Sequence, residues 1–245
     1  MKKLILIVFA FVAVASATAQ KTQTAAEKKK AWNKLAGRPG DHIMLQLSYD
    51  QLMGVPDSIK THMTGIPRGF NAYVMLDKVF KGAPQFSVAL GVGFSSSNFY
   101  FKRYSIDVAS NNAKLPFNNL DNANHYKKYK LAVSYLEIPI ELRFTLDPAH
   151  DSKSIKAAIG FKIGTLLNSH NKGKNLEDKD GKLIQSLTAK ETGKRYFNST
   201  RMAATARIGY GNFTIFGSYQ INNMFKDGVA PDMRVLQIGL TVSGL

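Results

Sequence analysis

The 245-residue sequence contains no cysteine. No disulfide framework can hold the fold, and a thiolate is excluded as nucleophile or metal ligand. Acidic residues are scarce, with 17 Asp and Glu against 33 Lys and Arg and a formal net charge of +16. The five histidines are scattered without metal-ligand spacing. Past Val14 no apolar run approaches the roughly 20 residues that a membrane-spanning helix needs. The phosphate loop, G-x-S-x-G and H-E-x-x-H signatures are all missing, so the sequence points to no enzyme class and to no cofactor or metal.

What is present starts at the N-terminus. Met1-Lys2-Lys3 is basic, Leu4 to Val14 is apolar, and Ala17-Thr18-Ala19 fits a small-x-small cleavage site. Together they predict a signal peptide over residues 1–19, since the apolar run is too short for an anchor. Residues 20–41 form a polar lead-in in which Lys21, Lys28, Lys29, Lys30, Lys34 and Arg38 face Glu27 and the closing Asp41. Gly37-Arg38-Pro39-Gly40 would stop any helix there, and the segment reads as a periplasmic tether with Trp32 at a membrane interface. Export makes nucleic acid an unsuitable partner for the positive charge. Anionic lipid headgroups or lipopolysaccharide suit it better.

From Asp41 onward the sequence period is two. The apolar sets are Ile43 to Tyr49, Phe70 to Leu76, Phe86 to Phe94, Leu136 to Phe144, Ile155 to Ile163, Met202 to Tyr210, Phe213 to Ile221 and Leu236 to Val242, each alternating with polar or small residues. Eight amphipathic strands are therefore predicted. Alternation alone fits either an apolar interior or a lipid-facing exterior. The connections separate the two. Those after even strands are short, at Lys81 to Pro84, Asp147 to Lys153 and Gly211; those after odd strands are long, at Met53 to Ile66, Ser95 to Lys130, Ser169 to Ser199 and Asn222 to Asp232. This parity is the pattern of outer-membrane barrels, with short periplasmic turns and long external loops.

The segment Tyr135-Leu136-Glu137-Ile138-Pro139-Ile140-Glu141-Leu142-Arg143-Phe144 resembles the "YLEIP" strand of the PorT-like outer-membrane β-barrel family, and the surrounding layout over residues 40–245 is similar. The resemblance implies a barrel in the cell outer membrane of bacteria in which type IX secretion is common. Its implied partners are the outer-membrane insertion machinery and other envelope or secretion proteins. The chain departs from the usual outer-membrane pattern at its end, Val242-Ser243-Gly244-Leu245, where an aromatic residue is customary.

Candidate chemistry is confined to the polar faces. Asp50, Asp77, Glu137, Glu141, Arg143, Lys156, Lys162 and Arg207 would meet inside an eight-stranded barrel, which side chains just fill. Glu137 and Glu141 could serve as an acid/base pair. No nucleophile accompanies them, so the favoured reading is a lumen charge network of Glu137, Glu141, Arg143, Lys162 and Arg207. Pro139 would remove a ladder hydrogen bond and is expected to mark, in a structural role, a bulge or a site where the lumen side supplies water. Asp178-Lys179-Asp180-Gly181 is a fragment of a calcium loop without its remaining ligands. In residues 99–131, Tyr100, Phe101, Tyr104, Tyr126 and Tyr129 interleave lysines, as an interfacial girdle would, the favoured reading, or as a binding surface for glycan or a protein partner would.

The expectation is an all-β protein: an eight-stranded antiparallel up-and-down transmembrane β-barrel over residues 42–245, behind the signal peptide and lead-in, with a non-enzymatic structural, partner-binding or secretion-associated role. The alternatives are a narrow pore and a soluble exported lipocalin-like barrel that binds an apolar ligand with its faces reversed.

Overall fold

The computed structural model describes residues 43–244; the expected signal peptide and lead-in lie outside them. The described residues form β1 (Ile43–Met53), β2 (Arg68–Phe80), β3 (Ala83–Phe101), β4 (Tyr104–Ile106), β5 (Phe117–Asn119), β6 (His125–Thr145), β7 (Ile155–Glu177), β8 (Leu183–Thr192), β9 (Thr200–Tyr210), β10 (Phe213–Gln220) and β11 (Arg234–Ser243). Eight of these close into a ring in the order β1-β2-β3-β6-β7-β9-β10-β11, all neighbours antiparallel, with β11 returning to β1 from Met44↔Ser243 to Met53↔Arg234. The sheet is thus a closed antiparallel barrel, and β8 extends β7 beyond it.

The eight alternating segments of the sequence are the eight barrel strands. Their apolar residues point outward, as Leu47 (66% exposed), Leu76 (67%) and Phe213 (70%) show, while Gln46, Asn71, Glu137 and Thr241 are buried inside. This orientation excludes the lipocalin-like alternative, which needs Leu, Ile and Phe within. The outward band on β3 runs eight steps from Phe86 to Phe94. That is about 26 Å of strand and about 20 Å of height at a tilt of about 40°, close to the apolar belt of a spanning barrel. Aromatic residues edge it on both sides, with Tyr49, Phe70, Phe94 and Tyr219 toward the long connections and Phe80, Tyr210 and Phe213 toward the short ones.

Above the band the apolar parity reverses. On β6 the outward set is Leu136, Ile138, Ile140 and Leu142, but farther up it is Tyr129, Leu131 and Val133 that are buried. On β3 the switch runs from outward Phe94 to buried Phe99 and Phe101. Outside the bilayer the exterior meets water, so apolar residues turn in. Two expectations are corrected by this. The span Ser95 to Lys130 is not a loop throughout, because β3 continues to Phe101 and β6 begins at His125. Much of Ser169 to Ser199 is likewise the β7–β8 hairpin.

Pro139 does not mark a bulge. The β3–β6 register is the same on either side of it, from Leu90↔Ile140 to Gly93↔Glu137. The bulge lies at Ser134/Tyr135, where β7 passes from Asn168 to Leu166 and carries Leu167 as the extra residue. The ladder tolerates the missing Pro139 N–H without slipping because long paired stretches on both sides fix the register.

Candidate functional site

The barrel interior at membrane level is built in rows. One row crosses five strands in register: Tyr73 on β2, Gly93 on β3, Glu137 on β6, Gly164 on β7 and Arg201 on β9. The two glycines leave gaps that let the long side chains meet over the intervening strands. A Cβ at Gly164 would lie 2.7 Å from Glu137 Cγ, and one at Gly93 would lie 2.6 Å from Tyr73 Cδ1. Through these gaps Tyr73 Oη donates to Glu137 Oε2 at 2.6 Å and Arg201 Nη1 donates to Glu137 Oε1 at 3.1 Å. Arg201 also reaches Ser95 Oγ at 3.2 Å.

A second cluster sits nearer the short turns. Glu141 Oε2 accepts from Arg143 Nε at 2.9 Å and from Arg207 Nη2 at 3.2 Å, and Asp77 stands 3.9 Å from Arg143. Lys156 Nζ meets Asp151 at 2.8 Å toward the rim. Between the clusters, Lys162 Nζ donates to Gln46 Oε1 and Tyr73 Oη, both at 3.2 Å, and lies over the Tyr73 ring, 4.9 Å from its centroid. Gln46 continues the network to Thr241 and Asn71, and Asn71 to Ser95. Buried charges thus face opposite charges or hydrogen-bonding groups, as a low-dielectric interior demands.

Of the residues singled out from the sequence, Glu141, Arg143 and Arg207 come together, Glu137 belongs to the other cluster, and Lys162 lies between the two, joined to the Glu137 cluster through Tyr73. The carboxylate that Glu137 offers is taken by Arg201, which is absent from the expected network. The expected strand begins at Met202, one residue too late, although Arg201 shares the parity of Arg207. Tyr73 falls on the same polar face as Asp77, and only its charge-neutral hydroxyl hides its role. Glu137 and Glu141 lie four strand steps apart on β6, about 13 Å between Cα atoms, and each carboxylate is engaged by arginine.

The long-connection end is closed by an apolar cluster. Phe99, Phe101, Tyr104, Ile106, Leu115, Tyr129, Leu131, Phe197, Phe225 and Val235 are buried together there. Strand β4, strand β5 and the connections fold over the opening. Tyr129 Oη accepts from Ile106 N and donates to Ile106 O, both at 2.8 Å, and burial holds its phenol well above the ordinary value. Tyr196 Oη donates toward Ser110 O (2.9 Å) and Asn112 O (2.8 Å), and Asn198 Nδ2 donates to Asn223 O and Phe225 O. The expected girdle in residues 99–131 is therefore corrected: Phe101, Tyr104 and Tyr129 are core residues of this cap, and only Tyr100 and Tyr126 keep partial exposure. Asp178 caps the β7–β8 turn by accepting from Asp180 N and Lys182 N. Among the described residues no group of three His, Asp or Glu is placed to hold a metal.

A family model described as "Outer membrane protein beta-barrel domain" matches residues 43–226. No curated protein matches the chain. Among solved structures, the crystal structure of Ail, the attachment invasion locus protein of Yersinia pestis, is 15% identical, covering 82% of this chain and 94% of that one with a TM-score of 0.33. The same Yersinia pestis protein in a phospholipid bilayer nanodisc is 17% identical, covering 82% and 97%, with a TM-score of 0.29. A mutant porin of Rh. blastica is 10% identical over 82% and 97%, with a TM-score of 0.17.

Proposed function

The chain belongs to the outer membrane protein β-barrel domain family and resides in the outer membrane, and from that premise we propose that it is a sealed, non-enzymatic barrel whose working surface is its exterior. It anchors an ordered external platform, built from the upper halves of β3, β6 and β7 with the β7–β8 hairpin, and serves a structural or partner-binding role in the envelope. One observation carries this reading. The interior is filled twice over, by the arginine–carboxylate rows at membrane level and by the apolar cap above them. An eight-stranded barrel leaves space only for side chains. The likeness of Tyr135–Phe144 to PorT-like barrels supports a partner among secretion-associated envelope proteins.

Because the chain has no native cysteine, single introduced thiols report access cleanly. Ser218 is buried in the lumen and Ser186 lies exposed on β8. In vesicles, a membrane-impermeant thiol reagent should label Ser186→Cys rapidly and leave Ser218→Cys unlabelled until the barrel is denatured. Equal labelling of the two would refute a sealed interior.

A further inference from the structure

The outer face directly above the lipid-facing band carries a concentration of lysine that neither the lumen nor the cap uses. Four adjacent strands put Tyr100, Lys130, Lys172 and Lys190 in one cross-strand row, and the next row outward holds Lys128, Lys174 and Thr188. On β3 and β6 these residues share the parity of the lipid-facing band below them: Phe94 and Tyr100 on β3, and Lys128, Lys130, Leu136 and Ile138 on β6, are all even-numbered. Tyr100, Lys128, Tyr129, Lys130, Lys172 and Lys174 line a groove of about 240 Å³. The acidic residues of the same strands are engaged elsewhere: Glu177 with Lys127 at 3.3 Å, and Glu191 with Asn171 Nδ2 at 2.7 Å. Burial and then the nearby Lys172, Lys174 and Lys190 hold the Lys130 ammonium below the ordinary lysine value, so these charges feel one another. Lys130 Nζ donates to Asn98 Oδ1 at 2.7 Å, a neutral acceptor that leaves its charge uncompensated.

We propose that this groove is a binding site for the phosphate groups of an outer-leaflet glycolipid, with Lys130, Lys172 and Lys190 as the inner cations, Lys128 and Lys174 as the outer ones, and Tyr100 as a platform for a sugar ring. The placement selects a lipid over a soluble anion. Lys172 stands five residues above Leu167, the last exposed large apolar residue of β7. That is about 16 Å of strand, or about 12 Å of height after tilt, which is headgroup depth with acyl chains alongside the band below. Lysine presents a compact point charge on a flexible stem, suited to several phosphate oxygens at once. The proposal rests on the membrane orientation given above, with the long connections outward, and does not depend on whether the lumen is sealed.

The test uses the full barrel in detergent micelles and native mass spectrometry. The probes are bisphosphorylated lipid A, the same lipid A with its phosphates removed, and inorganic phosphate. The wild type should bind bisphosphorylated lipid A at least about tenfold more tightly than the dephosphorylated form, a contrast expected for several lysines at a charged membrane surface. Lys130→Gln with Lys172→Gln and Lys190→Gln should abolish that contrast, as should Lys128→Gln with Lys174→Gln in part. The charge-matched variant Lys78→Gln with Lys81→Gln and Lys153→Gln, at the opposite rim, should keep it. Undiminished preference in the first variant, or no preference in the wild type, would overturn the site. Displacement of lipid A by inorganic phosphate at equal concentration would overturn the lipid assignment. A conducting or thiol-accessible lumen would leave all of these outcomes unchanged, so the two readings fail separately.

Discussion

Arg201 reaches Glu137 across a strand that separates them: its Nη1 lies 3.1 Å from Glu137 Oε1, with β7 between their own strands and Gly164 as the gap. Both side chains are 2% exposed. The pair therefore ties β9 to β6 in a place where water cannot substitute for either partner.

Removing one partner should be costly. Glu137→Gln leaves Arg201 without its carboxylate and should destabilise the barrel by about 3–5 kcal/mol in denaturant unfolding from detergent. Glu137→Gln combined with Arg201→Gln should cost clearly less than the two single changes added, since no lone charge remains. Gly164→Ala, whose new methyl would crowd Glu137, should lose about 1–3 kcal/mol with the charges intact. Strict additivity of the single changes would show that the contact has no energetic coupling.

The lipid-facing band makes a prediction of opposite kind. Ile140 points outward near the middle of the band on β6, and Ile140→Arg should cost about 2–4 kcal/mol in bilayers or prevent insertion. Heat-modified gel mobility and unfolding in lipid vesicles measure this. An Ile140→Arg barrel as stable as the wild type would mean that this face does not meet lipid.

These faces are legible in the sequence, and the physical reason is the regularity of the environment. Within the bilayer every strand has lipid on one side and a packed lumen on the other, so Leu136, Ile138, Ile140 and Leu142 alternate without interruption. The upper strands are not legible because the alternation changes phase where lipid gives way to water. Ser96, Asn98 and Tyr100 face out while Phe99 and Phe101 face in, and a period-two pattern that flips reads as irregular. The lumen is half legible. Glu137, Glu141, Arg143, Lys162 and Arg207 share the inward parity, but which of them meet depends on the stagger between strands. Gly93 and Gly164 give no sign in one dimension that they are windows between neighbours.

The cap should be separable from the membrane barrel. Phe99→Ala removes a fully buried ring from the apolar cluster and should cost about 3–5 kcal/mol, felt first in the long connections. Hydrogen exchange should accelerate over β4, β5 and residues 223–229 while the strand segments within the band stay protected. Uniform acceleration would mean that cap and barrel form one cooperative unit.

His170 reports the electrostatics of the outer lysine rows. Burial, followed by Lys190, Lys130 and Lys172, holds its imidazole below the ordinary 6.5, and Asn168 Nδ2 lies 3.3 Å from its Nδ1. A base with a lowered folded value is protonated more readily in the unfolded chain. Stability from this site is therefore full above about pH 6.5 and is lost as pH falls from there through the folded value. An NMR titration in zwitterionic micelles should place His170 below 6.5 and move it upward on Lys190→Gln. A value above 6.5, or one indifferent to Lys190, would contradict this arrangement.

Single-protein recording in planar bilayers asks whether the filled interior is closed. The wild-type barrel should insert and give no steady current, because Glu137, Glu141, Arg143, Arg201 and Arg207 interlock at membrane level beneath the Phe99 and Phe225 cap. The volume-conserving change Glu137→Gln with Glu141→Gln should weaken the barrel and admit at most flickering openings. Steady, ion-selective conductance from the unmodified protein would contradict the sealed barrel.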